Sequence, residues 1–173
     1  MNYLSPLEMF YKWEKEKPKE VYLSQPIEGV LHTWTWEEVG QEVRRMASYI
    51  TSLNLPVNSK IGILSKNCAH WIMNDLAIMM SGHISVPLYP NLNAETLSTI
   101  LKHSGTKVLF VGKLDNFSNM KDGIHDDIIC VTYPFYSQNY PKWDEVIANE
   151  NQINENVIRH EMDLATIIYT SGT

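Results

Sequence analysis

Three hydroxyl residues surround one glycine at Thr170-Ser171-Gly172-Thr173, directly after the apolar run Ala165-Thr166-Ile167-Ile168-Tyr169. Residues of these types in this order suit phosphate chemistry. Glycine lets successive backbone amides turn toward one point, and hydroxyls can donate to phosphate oxygens or face a magnesium ion. On residue type alone the same cluster also reads as an ordinary polar loop. It is not a Gly-x-x-x-x-Gly-Lys-Ser/Thr loop, and no Gly-x-Gly-x-x-Gly follows any apolar run. Ser65-Lys66-Asn67, Tyr89-Pro90-Asn91, Gly112-Lys113 and Thr132-Tyr133 also follow apolar runs, and these four read as turn chemistry.

The remaining reactive residue types point elsewhere. Cys68 and Cys130 form no Cys-x-x-Cys, so neither a zinc site nor a disulfide framework is expected, and both read as small apolar residues in a reducing, cytoplasmic setting. His32, His70, His83, His103, His125 and His160 include no pair at ligand spacing on one helix face, which predicts surface or core-edge roles. Trp34, Trp36 and Trp71 read as packing anchors, Met73, Met79 and Met80 as core filler, and Asp126-Asp127 as a solvated pair. With 14 Lys and Arg against 20 Asp and Glu, the net charge of −6 argues against a nucleic-acid partner. The opening Met1-Asn2-Tyr3-Leu4-Ser5-Pro6 lacks the basic and apolar regions of a secretory leader. Trp71 to Met80, the most apolar stretch, is interrupted by Asn74 and Asp75 and falls short of the ~20 residues that cross a bilayer. Without a secretion route, Asn116-Phe117-Ser118 is an accidental match to a glycosylation acceptor.

These residues need a scaffold, and an apolar share of 44% over 173 residues supports a real core. Ser5-Pro6-Leu7-Glu8 opens a short helix, with Leu7, Phe10 and Tyr11 on one face. Val21–Leu23 and Val30–Trp34 read as a hairpin that reverses through Gln25–Gly29. Thr35-Trp36-Glu37-Glu38 is a second capping box, and Val39, Val43, Met46, Ala47, Ile50 and Leu53 follow at helical spacing. Strands over 60–65, 84–89, 107–111, 128–131 and 164–169 then alternate with helices over 67–81, 93–104 and 142–149, with weak helical character over 115–123. Gly105, after Lys102 and His103, closes the second of these helices. Pro87 conflicts with a central strand and marks a strand end, bulge or edge. The rhythm predicts an α/β fold: a doubly wound, mostly parallel sheet with flanking helices, a helix plus hairpin over residues 1–35 and β/α units over 36–173. In such sheets ligands sit beyond the carboxyl ends of the strands.

The run Glu161-Met162-Asp163-Leu164-Ala165-Thr166-Ile167-Ile168-Tyr169-Thr170-Ser171-Gly172-Thr173 resembles the phosphate-binding motif of adenylate-forming acyl-CoA synthetases, the AMP-binding enzyme superfamily. Ile61-Gly62-Ile63-Leu64-Ser65-Lys66-Asn67, Trp71-Ile72, Asp75-Leu76-Ala77, Val86-Pro87-Leu88-Tyr89-Pro90 and Thr33-Trp34-Thr35-Trp36-Glu37-Glu38 resemble the same family. The likeness covers the chain from about residue 20, and Asp163 to Thr173 is most similar to the long-chain fatty acid–CoA ligase branch.

The resemblance implies a two-step ligation: a fatty acid carboxylate attacks ATP to give an acyl-adenylate and pyrophosphate, and the thiol of CoA then displaces AMP. It assigns Thr170, Ser171, Gly172 and Thr173 to the ATP phosphates, Thr170 to Mg²⁺, and no catalytic residue. In the family the loop continues with glycine and lysine, and the acidic metal ligand, adenine and ribose contacts, fatty acid tunnel and mobile C-terminal domain follow later. The expectation is therefore an N-terminal part of a larger domain, inert alone, whose uncovered apolar surface favours self-association. Two or three charge-assisted hydrogen bonds of about 1.5–3 kcal/mol each give millimolar ATP affinity at best. An aryl or short-chain acyl activator, an adenylation domain, and a noncatalytic α/β binding module that stops naturally after Thr173 stay open. So do peripheral contact with the inner face of a membrane and the acyl chain preference.

Overall fold

The computed structural model describes residues 4–136 and 138–170. Helix α1 spans Pro6–Glu16 and starts on a reciprocal cap, with Glu8 N–H donating to Ser5 Oγ at 3.3 Å and Ser5 N–H to Glu8 Oε2 at 2.8 Å. Strands β1 (Val21–Ile27) and β2 (Val30–Thr35) form the antiparallel hairpin. Its reversal is tighter than the Gln25–Gly29 stretch suggests. Glu28 and Gly29 alone make the turn, both at positive φ, 49° and 82°, the two-residue geometry whose twist matches the strands. Pro26 stays in β1, where a two-stranded hairpin has a free edge to absorb its missing N–H. Helix α2 (Trp36–Ser52) opens on the same box, Glu38 N–H to Thr35 Oγ1 at 3.3 Å and Thr35 N–H to Glu38 Oε2 at 2.8 Å.

The main sheet holds β3 (Lys60–Leu64), β4 (Ile84–Leu88), β5 (Thr106–Val111) and β6 (Ile129–Thr132), all parallel, in the order β4-β3-β5-β6. Helices α3 (Ala69–Met80) and α4 (Ala94–Ser104) cross between strands, and α5 (Trp143–Ile147) follows β6. Between β5 and β6 the weak helical character resolves into two 3₁₀ turns, Phe117–Asn119 and Lys121–Gly123.

Two cores explain the unbroken apolar run of β5. Val108 and Phe110 face the core shared with α1, α2, α3 and α5, whereas Leu109 and Val111 face the one under α4. Both faces are covered, so alternation with polar residues has no place. Trp143 and Tyr133 are the largest fully buried side chains of the first core. Burying apolar area at about 25 cal/mol per Å² makes these rings its largest individual contributors.

The strand expected over 164–169 is a correction. One parallel bridge, Ser85 to Thr166, replaces it: Ser85 N–H donates to Ala165 O at 3.0 Å and Ile167 N–H to Ser85 O at 2.9 Å. The next outward-facing donor on β4 would be Pro87, which has no N–H, so the ladder ends after one rung. The edge position foreseen for Pro87 holds, and it limits what can pair there.

Candidate functional site

The carboxyl ends of β3, β5 and β6 come together, and their own residues satisfy them. Ser65 Oγ donates to Lys66 O at 2.6 Å and accepts from Lys113 N–H at 2.9 Å, while Lys66 N–H donates to Lys113 O at 2.8 Å. Lys66 and Asp115 pair across the same ends. Gly112 is required here: a Cβ would overlap the Tyr133 ring and Ser65 Oγ. Beneath them Asn74 Nδ2–H donates to the Tyr133 hydroxyl at 3.0 Å, and full burial holds that phenol well above its ordinary range.

The first turn of α3 receives help from a distance. Cys68 makes no side-chain cap, and Ala69 N–H instead donates to Gln25 Oε1 of the hairpin at 2.7 Å. Gln25 Nε2 is in turn held by the Tyr136 hydroxyl at 2.9 Å. Burial raises the Cys68 thiol and pushes Cys130 up to about 11, so neither is a thiolate nucleophile at neutral pH.

The histidines divide by environment. His70 is buried among Trp34, Tyr133, Phe135 and Trp143, with Nε2 3.7 Å from Glu42 Oε2, which also accepts from Trp143 Nε1–H at 3.1 Å. His83 is buried at the foot of β4, where burial and then Arg159 hold it below the ordinary 6.5. Both lie deeper than the surface or core-edge roles their spacing suggests. His125 meets Ser98 Oγ at 2.7 Å, and His103 Nδ1 meets the Tyr169 hydroxyl at 2.7 Å. Among the described residues no three His, Cys, Asp or Glu side chains gather as a metal site.

The chain from Glu150 to Thr170 runs back over this body as a strap. Tyr11 Oη–H donates to Val157 O at 3.0 Å, and Arg44, bidentate on Glu14 at 2.6 and 2.7 Å, extends Nη2 to Asn156 Oδ1 at 3.0 Å. Arg159 Nε pairs with Asp163 Oδ2 at 3.2 Å. The Ser85 rung and the Tyr169–His103 bond complete the attachment. Thr170 is exposed immediately beyond Tyr169; Ser171, Gly172 and Thr173 lie outside the described residues. Ser85 and His103 are the residues that motif reading missed. The available signals were a hydroxyl inside the apolar β4 run and an imidazole in the last turn of α4.

A profile of the AMP-binding enzyme family matches residues 10–173. The long-chain-fatty-acid–CoA ligase FadD15 of Mycobacterium bovis is 29% identical over 95% of this chain and 29% of its own length. Long chain acyl-CoA synthetase 4 of Arabidopsis thaliana is 26% identical over 82% of this chain and 24% of its own. The chain thus spans less than a third of the length of these relatives. The fold matches the anthranilate CoA ligase AuaEII, solved with anthranoyl-AMP, at a TM-score of 0.84 and 19% identity, covering 98% of this chain and 33% of that one. With residues 10–173 matched, the chain belongs to the AMP-binding enzyme family.

Proposed function

We propose that residues 1–173 are the N-terminal part of an adenylate-forming domain in an ATP-dependent long-chain fatty acid–CoA ligase. The observation that carries this reading is the run Asp163 to Thr173, a hydroxyl and glycine loop led in by the strap. The names of the Mycobacterium and Arabidopsis relatives support the long-chain assignment.

The chemistry follows from the leaving group. A carboxylate is a poor acyl donor until its oxygen is bonded to the α-phosphorus of ATP, a bond that forms as the α–β P–O bond breaks and pyrophosphate leaves. The sulfur of CoA then attacks the acyl carbon, the C–O bond to AMP breaks with its electron pair on AMP, and the thiol proton passes to solvent. Charge building on the phosphates needs donors fixed in advance. Thr170, Ser171, Gly172 and Thr173 supply hydroxyl and amide donors there. Mg²⁺ neutralises phosphate charge when bound, and the exposed Thr170 hydroxyl fits as one oxygen ligand. The raised Cys68 and Cys130 thiols fit a reaction whose only sulfur nucleophile is CoA.

No helix among the described residues is long and apolar enough to cross a membrane. That fits a cytoplasmic enzyme touching the inner membrane face only peripherally, where long-chain acids partition.

A second reading, an aryl-acid activator, is favoured by the fold match to the anthranilate CoA ligase. The full-length protein, given ATP, CoA and acids from acetate to stearate together with benzoate, separates these by acyl-CoA yield. Long-chain acids giving the highest kcat/KM supports the first reading, and benzoate leading supports the second. Turnover of no acid removes both and leaves the noncatalytic binding module.

A further inference from the structure

We infer that His103 is a positioning residue for the phosphate loop, holding the Tyr169 hydroxyl so that the backbone entering Thr170 is ordered before ATP arrives. This rests on the reading of Thr170 to Thr173 as that loop.

After the Ser85 rung, the Pro87 interruption leaves the strap without a ladder, and the next fixed point is Tyr169. Its ring packs on the α4-side core and meets the His103 ring edge-on, centroids 5.7 Å apart and planes at 87°. Its hydroxyl lies 2.7 Å from His103 Nδ1. Among the described residues this is the one side-chain hydrogen bond to the strap beyond Ala165. The post is rigid, because His103 rides on α4, whose Leu97 and Leu101 are buried. The bond forms in either tautomer, the hydroxyl donating to a bare Nδ1 or accepting from Nδ1–H. A loop that occupies its binding form only part of the time weakens apparent affinity by that fraction, so losing the post raises KM more than it lowers kcat.

The test is steady-state kinetics of the full-length ligase with MgATP varied. His103→Ala and Tyr169→Phe each raise the KM for MgATP about fivefold, the scale of one net hydrogen bond, with kcat within about twofold. The double variant is no worse than either single one, as a shared bond requires. His103→Asn, which keeps a polar atom near the Nδ1 position, returns KM to within about twofold of wild type. Ser171→Ala separates the two claims. If Ser171→Ala raises the KM and the His103 and Tyr169 variants leave it unchanged or act additively, the positioning role is wrong while the loop reading stands. If Ser171→Ala leaves ATP use unchanged, the loop reading falls and the inference falls with it.

Discussion

From Pro6 to Ile147 helix starts are capped, the sheet is covered on both faces, and large rings such as Trp143 and Tyr133 are fully enclosed. From Glu150 to Thr170 the chain touches that body through spaced polar contacts, one β-rung and the half-buried side chains of Ile153, Ile167 and Tyr169, with Ile158, Met162, Leu164 and Ile168 exposed. The body's order comes from its own burial. The strap takes its position from residues of the body, chiefly Arg44, Ser85 and His103. The difference teaches that the segment leading into Thr170 is attached to a finished scaffold by a few hydrogen bonds and three half-buried side chains, an arrangement at the low end of local stability.

Substitutions should report that asymmetry in order of size. Trp143→Ala removes a fully buried ring and its hydrogen bond to Glu42, and should cost about 3–5 kcal/mol in urea unfolding. A loss under about 1 kcal/mol would mean that the body is not the close-packed unit described. Gly112→Ala drives a methyl into Tyr133 and Ser65 and should lower stability by about 1–3 kcal/mol, read as a fall in Tm.

A smaller effect comes from pH. His83 has a folded pKa below its unfolded value near 6.5, so the unfolded chain takes up its proton first as pH falls. The stability it contributes is complete above about pH 6.5 and is lost on descent through the folded pKa. Urea midpoints at about pH 7.5 and pH 5.5 should therefore fall further for wild type than for His83→Gln. Equal falls would place His83 in water in the folded state.

The smallest effect belongs to the strap's outer face. Met162→Ser and Leu164→Ser should each change stability by no more than about 0.5 kcal/mol, since both side chains are exposed. A cost comparable to Gly112→Ala would show the strap to be part of the core and erase the contrast.

What was legible in the sequence follows the same division. The capping boxes at Ser5 and Thr35, the apolar runs of β3 and β5 and the helical spacing of α2 are local patterns, and each formed its element. The hidden features join distant residues. Gln25 caps a helix that starts 44 positions later, and His103 meets Tyr169 across 66 positions. Pro87 limits pairing by a segment near residue 166, which no pattern within either run encodes. The aromatic enclosure of His70 likewise draws on three separate segments, β2, the loop after β6 and α5. The run Asp163 to Thr173 stands out in the sequence because it is contiguous, whereas the bond that holds Tyr169 does not because it is tertiary.

ATP–pyrophosphate exchange by the full-length protein tests the central assignment most directly, since it reports adenylation without the thiol step. Exchange should depend on an added carboxylic acid and fall at least about tenfold in Ser171→Ala, the scale of one lost charge-assisted donor. Acid-independent exchange, or a Ser171→Ala protein as active as wild type, would contradict it.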